Sequence, residues 1–148
     1  MIVRDGTYMA PETRARIRYL GKCNASEIAD LRSSHTITII ASRYENLNYT
    51  MLEAMAQGAA LVSTNVGGPA EVLQHEKTAL LVPPNDPEAM AAACKRLLAD
   101  NELALRLGSA AKDLIRNEFQ PQTVGKQMVS FLEDIVGRHT GARGNTKT

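Results

Sequence analysis

Apolar residues along this chain fall into two rhythms, short continuous runs and longer stretches with apolar positions three or four apart. Thr36-Ile37-Thr38-Ile39-Ile40, Ala60-Leu61-Val62-Ser63 and Thr78-Ala79-Leu80-Leu81-Val82 are too short for stable helices and predict buried strands. Ile2-Val3, closed by Asp5-Gly6, and Ile17-Arg18-Tyr19-Leu20, closed by Gly21, predict two more. Helical spacing fills the intervals. Ala25 to Arg32 predicts a helix with Ser26 as its cap, and MLEAMAQ predicts another from about Thr50 to Gly58. A short helix begins with Pro69 in its first position. Asp86-Pro87 opens a helix that runs to about Ala99. Leu103, Leu107, Ala111 and Leu114 mark one further helix, and Val124, Met128, Phe131, Leu132 and Ile135 another.

Strands alternating with helices predict an α/β fold with a doubly wound parallel sheet, the last helices packed on its flank. Residues 1–136 form that domain, and the polar, glycine-rich stretch 137–148 predicts a disordered tail. The composition narrows the class further. At 148 residues, 44% hydrophobic and net charge +1, the composition is that of one globular domain, and the near-neutral charge argues against nucleic-acid binding as its main business. Cys23 and Cys94, the two cysteines, stand far apart and read as reduced thiols of a cytosolic protein. There is no apolar run of membrane-spanning length and no signal-peptide pattern. His35, His75 and His139 are isolated from other metal-ligating residues, so no metal site is expected.

Candidate chemistry is concentrated between Ala41 and Leu73. Glu45 and Glu53 are separated by seven residues, with Asn48 and Thr50 between them as candidate helix caps. A loop running into a helix would leave Glu45 ahead of the helix and Glu53 in its first turn, both carboxylates facing one small volume. The free N–H groups of such a helix start attract an anion, and carboxylates accept hydrogen bonds from sugar hydroxyls. A ligand that is half phosphate and half polyol suits the pair. The spacing equally fits a Thr50–Glu53 capping box with Glu45 as a solvated loop charge. Farther on, Gly67-Gly68 allows close approach of the backbone to a ligand, and Glu71 suits the first turn of the helix that follows.

The stretch SRYENLNYTMLEAMAQGAALVSTNVGGPAEV resembles the E-x7-E signature and following glycine pair of the retaining, GT-B-fold glycosyltransferases of group 1 (family 4). RYLGKC before it and TALLVPPNDPEAMAAAC after it are similar in order and spacing, so the likeness covers roughly Ile17 to Leu98. The resemblance implies the Rossmann-like C-terminal half of a GT-B fold, binding a nucleotide-sugar donor. It also implies that the first βα unit, which in the family carries an Arg and a Lys towards the pyrophosphate, is missing, leaving an exposed apolar sheet edge.

By the same resemblance Glu45 is the catalytic glutamate against the donor sugar, and Glu53 binds the ribose hydroxyls. Backbone amides of Asn46, Leu47 and Asn48 would face the sugar, those of Tyr49 and Thr50 the diphosphate. The Lys22-Cys23 turn would receive the base, and Gly67-Gly68 would lie close to the ligand. The implied reaction is hexosyl transfer with retention from a UDP- or GDP-linked sugar, without a cofactor or a metal. The implied partners are an acceptor glycan or lipid and an N-terminal acceptor-binding domain or subunit. Localisation would be cytoplasmic, or peripheral at the inner face of a membrane. Asn46-Leu47-Asn48 departs from the Pro-Phe-Gly frequent in the family, and Gln57 stands where a cysteine is common. A non-catalytic nucleotide-sugar-binding module, a gene remnant, or a nucleotide-sugar epimerase of the same fold are the alternatives.

Overall fold

The computed structural model describes residues 10–142, so the Ile2-Val3 strand and the tail beyond Ala142 lie outside the described residues. Strands β1 (Ile37–Ile40), β2 (Ala60–Thr64) and β3 (Leu80–Val82) form one sheet in the order β1-β2-β3. Both pairings are parallel, with Ile37 opposite Ala60 and Val62 opposite Leu80. Parallel neighbours require crossovers, which α3 (Tyr49–Gln57) and α4 (Gly67–Val72) supply. Helices α1 (Pro11–Ala15) and α2 (Ala25–Ser34) precede the sheet. Helices α5 (Pro87–Ala99), α6 (Asn101–Glu118) and α7 (Pro121–Ala142) follow it. The fold is the doubly wound α/β arrangement that the alternation predicts.

Helices cover both faces, and β2 is accordingly buried at all of its positions. Ala60 and Val62 join Leu80 and Val82 against Ala93 and Leu97 of α5 and Leu103, Ala104 and Leu107 of α6. Leu61 points the other way, into Met51, Ala54 and Met55 of α3 and Ala111 of α6. Burying a leucine or methionine fully contributes about 1.5–3 kcal/mol, so these two clusters hold the sheet in place. α6 spans both clusters, and it does so by lying very close to α3. Gly58, in the left-handed conformation at φ 76°, ends α3, and its carbonyl oxygen would be 2.1 Å from a Cβ placed on Gly108.

Several expectations are corrected. Ile17–Leu20 is not a strand: no strand pairs with it among the described residues, and Ile17 and Tyr19 are 54% and 60% exposed. A four-residue apolar run becomes a strand only when a neighbour takes its N–H and C=O groups. β1 is less buried than its composition suggests, because it forms an edge of the sheet and leaves Ile39 54% exposed. The cap of α2 is Asn24, in a capping box with Glu27, while Ser26 Oγ donates to the Asn24 side chain. α1 carries no periodicity, but Pro11 at its first position and Glu12 in its first turn suit a helix start.

α4 begins at Gly67, two residues before Pro69, and Glu71 is outside its first turn. α7 contributes no residue to either buried cluster among the described residues, and Val124, Met128 and Phe131 of its apolar row are exposed. The helix also runs through 137–142, where disorder is predicted. The preceding turns propagate it, each added residue completing one backbone hydrogen bond.

The turn into β3 is held by charge. Glu76 adopts a left-handed φ of 64°. Arg96 of α5 bonds both of its carboxylate oxygens, and Arg106 of α6 donates to its carbonyl at 3.2 Å. The Arg96 hydrogen bond holds the Glu76 carboxyl below its ordinary value of 4.5. Its contribution to stability is therefore present above that value and is lost as pH falls through the lower, folded-state one.

Two predictions arise from this packing. Gly108→Ala should lose about 1–3 kcal/mol in urea denaturation because the Gly58 carbonyl fills the space for a Cβ. Gly125→Ala, where nothing lies within 4 Å, should gain up to about 1 kcal/mol; equal effects at the two sites would contradict the α3–α6 contact. In thermal denaturation from about pH 7 to about pH 3, which spans carboxylate titration, Glu76→Gln should start below the parent chain and converge with it towards the acid end. A gap independent of pH would refute the charged clamp.

Candidate functional site

The loop from Ala41 to Asn48 leaves the carboxyl end of β1 and is fixed from three sides. Buried Thr64, at the end of β2, donates its hydroxyl to the Ser42 carbonyl at 2.6 Å. The Gly68 N–H donates to the Glu45 carbonyl at 3.4 Å. Cβ atoms placed on Gly67 and Gly68 would lie 1.8 Å from the Glu45 carbonyl oxygen and 2.0 Å from that of Asn46. No side chain fits at either position. The close approach expected of the glycine pair is thus made to the Glu45–Asn46 backbone.

The third restraint is Asn48, the cap of α3. Its Oδ1 accepts from the Met51 N–H at 2.8 Å while its Nδ2 donates to Glu45 Oε2 at 2.7 Å. Ser42 Oγ donates to the same carboxylate oxygen at 3.2 Å. One asparagine therefore ends the loop, starts the helix and orients Glu45. Between Glu45 and Met51 the N–H groups of Asn46, Leu47, Asn48, Tyr49 and Thr50 donate to no other described residue. They form an unsatisfied donor set beside a half-buried carboxylate.

Glu53 is placed differently from the expectation. α3 starts at Tyr49, so Glu53 lies in its second turn, and the cap is Asn48 instead of a Thr50–Glu53 box. Its carboxylate Oε2 accepts from Arg32 Nη2 of α2 at 3.0 Å. No described side chain bonds both Glu45 and Glu53: the first is held by Ser42 and Asn48, the second by Arg32. Cys23, half-buried, lies in the turn between Gly21, at φ 71°, and Asn24 at the start of α2.

Ser42 and Arg32 were the contributors that local sequence did not announce. Ser42 stands three residues before Glu45, a spacing that could have suggested a hydrogen bond. Arg32 is 21 residues from Glu53, and only the packing of α2 on α3 brings them together. A cleft of about 550 Å³ opens at the carboxyl ends of the strands, bordered by Ile39, Arg43, Thr64, Asp86, Met90 and Cys94. It adjoins the Glu45 loop through Ala41 and Arg43 but includes none of the predicted site residues. Burial raises the Cys94 thiol above its ordinary value, making it a packing group there.

His75 accepts the Leu81 N–H at 3.0 Å, and His35 Nδ1 lies 2.6 Å from the Leu31 carbonyl, both structural uses; the side chain of His139 lies outside the described residues. Among the described residues no three of His, Cys, Asp and Glu are grouped as a metal ion would require. No helix among them is long and apolar enough to cross a membrane.

Comparison with known proteins adds to this geometry. The family model described as "Glycosyl transferases group 1" matches residues 10–114. N-acetyl-alpha-D-glucosaminyl L-malate synthase of Bacillus anthracis is 30% identical over 121 residues, which is 82% of this chain and 31% of that protein. The chain thus spans a third or less of the length of these curated relatives. Sucrose-phosphate synthase from Thermosynechococcus elongatus superimposes with a TM-score of 0.74 at 29% identity, over 84% of this chain and 31% of that one. Anabaena HepE, solved in complex with UDP, gives a TM-score of 0.75 at 21% identity, over 83% and 34% of the respective chains, and bears on the fold alone.

Because Asn48 both caps α3 and holds Glu45, its substitutions should separate. Asn48→Ala should lose about 1 kcal/mol of stability, and Asn48→Ser, which can still cap, clearly less. Urea denaturation of both variants decides; equal losses would mean that the cap does not matter.

Proposed function

The chain belongs to the glycosyl transferases group 1 family, and on that premise we propose that it is the donor-binding part of a glycosyltransferase acting on a nucleotide sugar. The observation that carries this reading is the row of free N–H groups from Asn46 to Thr50 beside the oriented Glu45 carboxylate. Such donors meet phosphate and sugar oxygens, whereas a carboxylate accepts from sugar hydroxyls. Glu45 faces the donor sugar in this reading, Glu53 the ribose, and the Gly21–Cys23 turn the base. Gly67 and Gly68 act indirectly, by admitting the Glu45 loop to its position.

Transfer breaks the bond from the anomeric carbon to the diphosphate oxygen and makes one to an acceptor hydroxyl oxygen, whose proton passes to the departing diphosphate, with retention of configuration. Its barrier comes from charge separation between an oxocarbenium-like sugar and a departing diphosphate. N–H groups held in place beforehand by the Asn48 cap and the glycine contact lower that barrier without reorganising. The donor is UDP- or GDP-linked, and neither a cofactor nor a metal is invoked. Acceptor binding belongs to an N-terminal domain or subunit, a share of the protein in keeping with the chain's spanning a third or less of its relatives.

Calorimetric titration with UDP, GDP and their sugar conjugates tests the assignment. Glu53→Gln should weaken binding of the bare nucleotide more than Glu45→Gln does. Glu45→Ala should reduce the preference for the sugar conjugate while sparing the nucleotide. Identical affinities across these variants would refute the division of roles.

A further inference from the structure

Arg32 lies in the last turn of α2, and its side chain is only 9% exposed although that of its partner Glu53 is 58% exposed. Its Nη2 donates to Glu53 Oε2 at 3.0 Å and to the Thr50 carbonyl at 3.4 Å. A guanidinium so far removed from water requires an anion within reach, and separating the two leaves an uncompensated buried charge. No residue of α2 is fully buried, although Ile28, Ala29 and Leu31 are half-buried, so the Arg32 link adds to a partial apolar contact in holding the helix. The Arg32 side chain bridges from α2 to the start of α3 and joins the element that follows the Gly21–Cys23 turn to the one that carries Glu53.

We infer that Arg32 is a positioning residue for the nucleoside half of the donor: it fixes the Glu53 carboxylate through Oε2, keeps Oε1 open to a ribose hydroxyl, and sets α2 relative to α3. The inference rests on the proposed ribose role of Glu53. It goes beyond that role by making ribose recognition depend on a cation that touches no part of the ligand. Among the described residues Oε1 has no hydrogen-bond partner, and a carboxylate with one oxygen bound to a guanidinium retains acceptor capacity on the other. The orientation of the Gly21–Cys23 turn follows from the same link, since that turn leads directly into α2.

The test uses the purified chain with UDP and GDP as probes of the whole nucleotide and inorganic pyrophosphate as a probe of the phosphate half. Arg32→Met should weaken binding of the nucleoside diphosphates about tenfold, the loss of one charge-assisted hydrogen bond, and leave pyrophosphate binding unchanged. Arg32→Lys, which restores the charge, should recover most of the affinity. Arg32→Met and Glu53→Gln together should weaken binding by less than the product of their separate effects. Amide hydrogen exchange in α2 should quicken in Arg32→Met before any nucleotide is added. If Arg32→Met does not fold, Arg32→Gln takes its place with the same readouts.

Nucleotide affinity unchanged in Arg32→Met but lowered in Glu53→Gln would overturn the positioning role while leaving the ribose reading intact. Unchanged affinity in both variants, or no binding by the parent chain, would overturn the two together. Equal weakening of nucleotide and pyrophosphate would mean a general loss of structure, which also contradicts the inference.

Discussion

Two backbones meet at the start of α4 with no room for a side chain between them, and the candidate site depends on that contact. Gly67 and Gly68 press against the carbonyls of Glu45 and Asn46 at distances that any Cβ would forbid. Gly67 also adopts a φ of 45°, which glycine tolerates and other residues rarely do. The loop after β1 is thereby confined between the end of β2, which holds Ser42, and the first turn of α4. Asn48 completes the confinement by joining Glu45 to the start of α3. A loop on a sheet edge would ordinarily sample many conformations. Here contacts from the end of β2, α3 and α4 hold it at three points.

The elements most legible in the sequence were those whose signals are local. Asp86-Pro87 marks the start of α5 because a cap and a fixed φ act within one turn, and the structure agrees residue for residue. The three short apolar runs are strands because they also find one another as parallel neighbours. Where the outcome depended on distant partners, local signals failed. Ile17–Leu20 has a strand's composition but no neighbouring strand. The row from Val124 to Ile135 has a helix's periodicity, and it forms a helix, but among the described residues it joins neither buried cluster.

The site divides along the same line. Glu45, Asn48 and the glycine pair could be singled out from a motif, yet the motif did not say what the glycines approach. Their purpose is visible only when α4 and the β1 loop are seen together. Glu53 could be singled out as well, but its partner could not: Arg32 is 21 residues away and belongs to a helix with no buried residue. An arginine on such a helix reads as a solvated surface charge until the fold brings an acid to it. Family membership and geometry therefore contribute different things, the first a class of chemistry and the second the restraints that orient its groups.

The central claim is that the donor set from Asn46 to Thr50, held by Asn48 and the glycine pair, receives a nucleotide diphosphate with its ribose at Glu53. Amide chemical-shift mapping of a UDP titration tests it most directly. The account predicts that perturbed amides cluster at Gly21–Asn24, Asn46–Glu53 and Gly67–Gly68. Perturbations confined to the cleft between Ile39 and Cys94, or none at saturating UDP, would contradict it.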